Sequence, residues 1–352
     1  MKKNDFSNIL INWYNKNKRA LPWRESHDPY RIWLSEILLQ QTRVAQGLPY
    51  YYRFLEAFPD IKVLAKASEK EVLRLWQGLG YYSRARNLHF TAKAIVSDYN
   101  AEMPDSYQEL LKLKGVGKYT AAAIASFAYG EKVAVVDGNV YRVLSRVFGL
   151  KEDISSPRGQ KAFQLLADEL LPGKDSPSHN QAIMEFGALH CTPKNPLCDG
   201  CPMAFMCYAF VKNEQSILPV KLKKTAKINR YFHYLVLKLG NKYLMKERIG
   251  KDIWQGLYEF PLVEENSLFE IGKLLKKQFD KEAKYAQIKA ESREYKHVLS
   301  HQNLHAKFWI VESTEIAERL VSKEGFRFYT VKAIHDLPKP VLINKFLEES
   351  IF

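Results

Sequence analysis

The chain has 352 residues, 46% of them hydrophobic, enough apolar material to fill two globular cores and to exclude a mainly disordered chain. No run of 18 apolar residues occurs and the opening MKKNDFSNILINW lacks an apolar core, so neither membrane insertion nor secretion is expected, and a cytoplasmic, nucleoid-associated location follows. A formal charge of +14 is spread over both halves, with 22 basic against 17 acidic side chains in residues 226–352, and suits a polyanionic partner through counterion release.

From residue 6 to about 208, apolar residues recur at spacings of three and four in FSNILINWY, RIWLSEILLQ, EVLRLWQGL, YQELLKL, TAAAIASFAYG, VYRVLSRVFGL and KAFQLLADELL, which predicts helices. Pro22, Asp28-Pro29, Pro59-Asp60, Pro104-Asp105 and Pro172-Gly173 punctuate them as loops. The Lys-rich stretch VKLKKTAK (220–227) carries no apolar stripe and reads as a linker. Beyond it, YFHYLVLKLG, KYLMKER and HAKFWIVES alternate in the manner of strands, while LFEIGKLLKKQF and VLINKFLEES return to helical spacing. The expected chain is multidomain: an all-α half over 1–211, a linker over 212–227 and an α+β half over 228–352.

All four cysteines, Cys191, Cys198, Cys201 and Cys207, fall within seventeen residues. Without secretion, disulfides are disfavoured and a shared metal centre is the better account. Structural zinc takes four thiolates, but its ligands usually come as two short Cys-x2-Cys pairs. One short pair with irregular outer spacing fits a cubane iron-sulfur cluster better. A closed four-thiolate site leaves no open position for substrate, so its expected task is to pin the loop TPKNP, which presents Lys194 to a phosphate.

Three further features carry chemistry. LKGVGKYTAAAI places Gly115, Val116 and Gly117 at a helical bend, where glycines permit positive φ and the backbone N–H groups can converge on a DNA phosphate; an ordinary tight hairpin uses the same residues for packing. Asp137 follows the apolar run VAVV and precedes a helix, the usual place for an N-cap. Glu36 sits among Trp33, Leu34, Ile37, Leu38 and Leu39; if buried there its pKa rises and it keeps a proton near neutral pH, and if it lies on the helix shoulder it does nothing chemical.

Together, LPWR (21–24), LSEILLQQTRV (34–44), GLGYYSRARNL (78–88), LKGVGKYTAAAI (113–124), VVDGNVYRVLSR (135–146), HNQAIMEFGALHCTPKNPLC (179–198) and the remaining cysteines resemble the A/G-mismatch-specific adenine DNA glycosylases, the MutY family of the helix-hairpin-helix superfamily. The resemblance implies base excision repair of adenine opposite 8-oxoguanine or guanine in double-stranded DNA, by a monomer carrying a 4Fe-4S cluster on the four cysteines. It implies that Glu36 protonates adenine N7, that Asp137 stabilises the cationic sugar, and that Asn139 and Tyr119 orient acids and water. Leu21 and Arg24 map to the adenine pocket, with Arg24 hydrogen-bonded near Glu36, and Gln41 and Tyr81 to residues that wedge into the gap left by the flipped base and touch the orphaned opposite base. Tyr119 stands where the strand-cutting relatives carry a Schiff-base lysine, which implies a monofunctional glycosylase and argues against an endonuclease III-like lyase; retention of Glu36 and Asp137 argues against a silent DNA-binding module. GLYEFP (256–261) and HVLSHQNLHAKFW (297–309) resemble the family's Nudix-like domain, whose lesion-reading loop falls at Leu299, Ser300 and His301, with Leu299 where phenylalanine is commoner. No glutamate cluster of the Nudix hydrolase kind follows Gly256, so pyrophosphatase activity is not expected.

Overall fold

A computed structural model describes residues 3–222, 226–267 and 271–351. Packing divides the chain into two compact units, residues 1–65 with 90–224 and residues 66–89 with 225–352. Helices follow one another in the order α1 Lys3–Asn17, α2 Pro29–Leu39, α3 Val44–Ala57, α4 Ile61–Lys66, α5 Glu69–Trp76, α6 Ser83–Asp98, α7 Tyr107–Leu110, α8 Lys118–Tyr129, α9 Gly138–Phe148, α10 Pro157–Leu170, α11 Ser176–Leu189 and α12 Tyr208–Lys212. Each expected helical segment is a helix, although YQELLKL narrows to the single turn of α7. Among the described residues no helix is long and apolar enough to cross a membrane.

Local signals set the helix ends of the first unit. The Asp28 side chain accepts from Tyr30 N–H at 2.9 Å with Pro29 in the first turn, so α2 starts where its entry N–H groups are satisfied. Asp137 caps α9 in the same way, and Gly149 ends it in the left-handed conformation. Phe6, Leu10, Val143, Leu144, Phe163, Ile183 and Phe186, from α1, α9, α10 and α11, share one core. The run Ala121–Ala125 on α8 is almost fully buried, and its four alanines let α2 and α8 pack closely.

In the second unit β1 Ile228–Leu239 is the spine of the sheet. It pairs parallel with β7 Gln302–Glu312 and antiparallel with β2 Lys242–Glu247 and β4 Leu262–Glu265. The strand order is β3-β2-β1-β7-β5, where β3 is Tyr258–Glu259 and β5 Gln287–Glu291; β6 Tyr295–Val298 joins β7 and β8 Arg327–Thr330 joins β2. Phe232 to Leu237 are all buried, because both faces of β1 are covered and strict alternation is lost. One face packs Leu235, Leu237 and Trp309 against Leu274 and Leu275 of α13 Ile271–Phe279 and Leu320 of α14 Thr314–Glu324. On Phe308 of β7, Phe346 of α16 Val341–Ser350 stacks with centroids 4.0 Å apart; α15 Val331–His335 precedes α16.

Residues 66–89 belong to this unit by packing: Arg86 donates to the Gln255 carbonyl at 2.7 Å, and Gln77 donates to Asn344. Part of the expected linker (223–225) and the opening of the expected helix LFEIGKLLKKQF (268–270) lie outside the described residues. The rest of that helix is α13.

Candidate active site

Glu36 is buried, 7% exposed, on the interior face of α2 beside Trp33, Leu34 and Ile37, so the shoulder position is ruled out. Burial pushes its carboxyl up to about 7; a hydrogen bond from Tyr119 works the other way, the Asp137 charge adds to the rise, and Arg24 opposes it. Tyr119, in the first turn of α8, is raised well above its ordinary value by burial and by the charges of Glu36 and Asp137, which keeps its hydroxyl a neutral donor. Residues 36, 119 and 137, far apart in the chain, therefore share one electrostatic neighbourhood.

Asp137 is both cap and candidate chemical group. Its Oδ1 accepts the N–H groups of Asn139 and Val140, each at 2.8 Å, and its Oδ2 accepts the Asn139 side-chain amide at 2.6 Å. Burial pushes the carboxyl up, against those three donors and the Arg142 charge. Asn139 is fixed in turn: its Oδ1 accepts Arg142 Nη2 at 2.8 Å, and Arg142 also donates to the carbonyls of Gly187 (2.6 Å) and Cys191 (2.7 Å). Gly187 on α11 lies so close that a Cβ there would sit 2.7 Å from Asn139 Cβ and 2.9 Å from its carbonyl oxygen.

The residues expected to line an adenine pocket are placed differently from expectation in one respect. Leu21 is buried just before the turn Pro22–Arg24. Arg24, expected to hydrogen-bond near Glu36, sends its hydrogen bonds instead to Glu185 (3.0 and 2.7 Å), Gln181 (3.1 Å) and the Arg19 carbonyl (3.2 Å), and reaches Glu36 only as a charge. The physical reason is Glu185, a buried carboxylate that also takes Arg19 at 2.9 and 2.6 Å; burial alone would raise it, and the two guanidiniums hold it at about 2. Sequence reading missed Glu185 and Gln181, although an acid inside the apolar run IMEFGAL carries the same signal that singled out Glu36.

At the glycine bend, Gly115 adopts φ +79°, but Gly117 has φ −88° and caps α8 in extended conformation. The expected convergence of three N–H groups is incomplete, because Val116 N–H already donates to the Leu113 carbonyl at 3.1 Å and its side chain is buried. Lys118, next to Tyr119, is exposed. Gln41, just after α2, and Tyr81, in the second unit, are both exposed and both non-glycine residues in the left-handed region, at φ +55° and +48°.

The Tyr81 hydroxyl meets Ser300 Oγ. Ser300 and His301 are exposed and Leu299 half-buried at the tip between β6 and β7, where Leu299 N–H donates to the Gln302 carbonyl at 2.8 Å. This tip and the segment Gly78–Ser83, Arg86 and Asp252–Trp254 line a cleft of about 420 Å³ within the second unit.

The four cysteines line one small pocket with Val147, Phe186, Met203 and Phe210. Burial pushes Cys201 up to about 11, the other three sulfurs adding to the rise; burial and then the Cys191 sulfur raise Cys198 and Cys207 as well. Thiols so placed turn into ligands when a cationic centre stabilises their thiolates, so the donor set fits an iron-sulfur cluster. Among the described residues no three His, Cys, Asp or Glu side chains are arranged to hold a single metal ion. Arg146 of α9 binds the loop through Cys191 Sγ (3.4 Å), the Thr192 carbonyl (2.7 Å) and the Pro193 carbonyl (3.2 Å). Lys194 is exposed at the tip of that loop.

Residues 34–168 match the HhH-GPD superfamily of base excision DNA repair proteins, residues 233–349 the NUDIX domain, and residues 191–207 the iron-sulfur binding domain of endonuclease III. The chain is 33% identical over 344 residues to the adenine DNA glycosylase of Buchnera aphidicola subsp. Schizaphis graminum, covering 97% of this chain and 98% of that one. It is 43% identical over 222 residues to the adenine DNA glycosylase of Homo sapiens, covering 60% of this chain and 41% of the relative. The solved structure of a thermostable thymine-DNA glycosylase superimposes with a TM-score of 0.56 at 32% identity, covering 60% of this chain and 97% of that one.

Proposed function

The chain belongs to the adenine DNA glycosylase family of base excision repair, and from that premise we propose that it hydrolyses the N-glycosidic bond of adenine opposite 8-oxoguanine or guanine, using Glu36 and Asp137. The observation that carries this reading is the placement of two dissimilar acids around Tyr119. One is buried among apolar side chains and holds its proton to about pH 7, and the other is clamped by three N–H donors.

The chemistry follows from that asymmetry. With adenine out of the stack, protonated Glu36 gives its proton to N7 and the electron pair of the C1'–N9 bond leaves with the purine. Positive charge grows on C1' as the bond breaks, and the Asp137 carboxylate stabilises it from the sugar side, the two-carboxylate logic of glycoside cleavage. Water then adds to C1' and its released proton returns to Glu36. Asn139 keeps the Asp137 carboxylate aimed, and Tyr119 orients Glu36. With Tyr119 in place of an amine and Lys118 exposed, no Schiff base forms, and the enzyme is monofunctional.

Leu21 and Arg24 shape the adenine pocket, while Gly115, Val116, Gly117 and Lys194 face phosphates of a double-stranded substrate, Val116 through its place in the bend rather than a free N–H. Gln41 occupies the gap left by the base. Tyr81, Leu299, Ser300 and His301 read the base opposite, a role supported by the contact of Tyr81 with Ser300 in one cleft. Cys191, Cys198, Cys201 and Cys207 hold a 4Fe-4S cluster, which supplies a closed, structural centre that pins the Lys194 loop. The protein acts as a monomer, with residues 1–211 as its catalytic half and 228–352 as its lesion-reading half, against which residues 66–89 with Tyr81 pack.

The test is release of adenine from duplexes carrying it opposite 8-oxoguanine, guanine or thymine, followed by alkali. Cleavage opposite 8-oxoguanine and guanine is expected; equal cleavage opposite thymine would overturn the assignment.

A further inference from the structure

Within the second unit one side chain touches both walls of the cleft without lining it. Arg230, on β1, donates through Nη1 to Gln302 Oε1 at 3.0 Å and to Asp252 Oδ1 at 3.0 Å. Its Nη2 reaches Asp252 Oδ2 and its Nε and Nη2 reach both oxygens of Glu264, at 2.6 to 2.7 Å. The guanidinium thus grips two carboxylates and an amide in one plane, a set of bonds that an ammonium cannot reproduce.

The two walls depend on these contacts in different ways. Asp252 begins the segment leading to Trp254, which holds a φ of +62° and sets its indole against Phe232 and His297. A non-glycine residue in that conformation stays there only when its neighbours are fixed, and Asp252 is fixed by Arg230 together with Arg248 at 2.6 Å. Gln302 directly follows Ser300 and His301, and its carbonyl closes the turn by accepting Leu299 N–H. The same turn is tied to the start of β1 where Ile228 N–H donates to the His301 carbonyl at 3.0 Å.

Stability alone does not explain the arrangement. Asp252 and Glu264 are a third or more exposed, and partly solvated ion pairs add little to folding. What the guanidinium adds is registration of one wall against the other. 8-Oxoguanine and guanine differ by one oxygen and one ring proton, so a site that separates them needs its polar atoms held to about half an ångström.

We infer that Arg230 is a specificity-determining positioning residue: it bridges Asp252 and Gln302, fixes the Leu299–His301 turn against Trp254, and so sets preference for 8-oxoguanine over guanine without touching the base. This rests on the reading that Ser300 and its neighbours contact the opposite base.

The experiment measures equilibrium binding of the full chain to duplexes holding a non-cleavable adenine analogue opposite 8-oxoguanine or guanine, for Arg230→Lys, Gln302→Met and Ser300→Ala. Gln302→Met removes the bridge to the turn and leaves both ion pairs, so it serves where an Arg230 variant fails to fold. Each variant is expected to lower the ratio of the two affinities by roughly tenfold, one misplaced hydrogen bond of about 1.4 kcal/mol. Arg230→Lys combined with Ser300→Ala is expected to lose no more than Ser300→Ala alone, since both act on one contact. A wild-type ratio in Arg230→Lys and Gln302→Met beside a collapsed ratio in Ser300→Ala overturns the inference and leaves the lesion-reading role standing. Fully additive losses in the double variant overturn it also. A wild-type ratio in Ser300→Ala overturns the lesion-reading role itself, and the inference with it.

Discussion

Asn139 holds Asp137 by its side-chain amide at 2.6 Å, so the acid that caps α9 has an orientation fixed by a residue two positions further into the same helix. A capping aspartate ordinarily needs only the backbone N–H groups of the first turn. Here the extra bond occupies the second carboxylate oxygen, and Asn139 is itself locked by Arg142 against Gly187 and Cys191. On the proposed mechanism this chain of contacts aims the carboxylate at the sugar, which capping alone does not require.

That chain makes Gly187 a sensitive position. A methyl group there meets Asn139 Cβ at 2.7 Å and its carbonyl oxygen at 2.9 Å, and neither atom is the far end of a flexible side chain. The start of α9 must move, at a cost of about 1–3 kcal/mol, and Asp137 moves with it. Gly187→Ala is expected to lower the single-turnover rate of adenine release by at least about tenfold while iron content and duplex affinity stay near wild type. Equal loss of all three would point to general unfolding instead.

With Glu36 as the proposed proton donor, its titration sets the pH dependence. Its carboxyl, raised to about 7, is protonated below that value, so a proton donor is lost as pH climbs. Single-turnover rates should be flat below about pH 6.5 and fall roughly tenfold per unit above about 7.5. The stability sign follows from the same shift. The folded state holds a proton that the unfolded chain gives up near 4.5, so burial of Glu36 costs nothing below that pH, a growing amount between 4.5 and about 7, and a constant amount above. Glu36→Gln should bind duplex yet release almost no adenine, and should be more stable than wild type at pH 8 by on the order of 3 kcal/mol, with no gain at pH 4. Thermal unfolding at the two pH values measures it.

Much of this was legible in the residues, and the misses share a cause. Helical periodicity and the shift to alternation beyond residue 227 describe contacts along one element, and those elements appear. Glu36 stood out because an acid broke an apolar stripe. The partners of Arg24 were not legible, since Glu185 reaches it across 161 positions and nothing in LPWR announces the choice. The spent N–H of Val116 depends on where a turn closes, to within one residue. That residues 66–89 pack with the second unit was equally hidden, because α5 has the same amphipathic period as the helices of the first.

Removing one cluster ligand should separate pinning from chemistry. Cys198→Ser leaves three thiolates, and the loop through Lys194 loses its anchor while Arg146 still holds Thr192 and Pro193. Iron content and visible absorption are expected to drop, and duplex affinity to fall more than tenfold. Wild-type affinity in an iron-free Cys198→Ser protein would show that the cluster does not shape the DNA-binding face.

Leu299 is half-buried at the tip of the proposed lesion-reading turn and offers no π face. Leu299→Phe supplies one, worth about 1–3 kcal/mol when it stacks on a base. Tighter binding of adenine-analogue duplexes by at least about fivefold, opposite both 8-oxoguanine and guanine, is expected, since stacking does not read the one oxygen that separates them. A gain confined to 8-oxoguanine would mean that the ring changes the hydrogen bonding of Ser300 instead.

Lys194 checks the division between gripping and reading. The loop is folded on itself, with the Thr192 hydroxyl donating to the Lys194 carbonyl at 2.8 Å, so the exposed side chain is presented from a fixed base. A lysine that meets a phosphate contributes by displacing a counterion, and that contribution is blind to sequence. Lys194→Ala should weaken binding to duplexes with adenine opposite 8-oxoguanine, guanine and thymine by the same factor. The slope of log affinity against log salt should shrink by about one. Because the acids at 36 and 137 are untouched, the single-turnover rate at saturating enzyme should not change. An unchanged salt slope would remove Lys194 from the DNA interface, and a loss confined to one opposite base would assign it to reading rather than gripping.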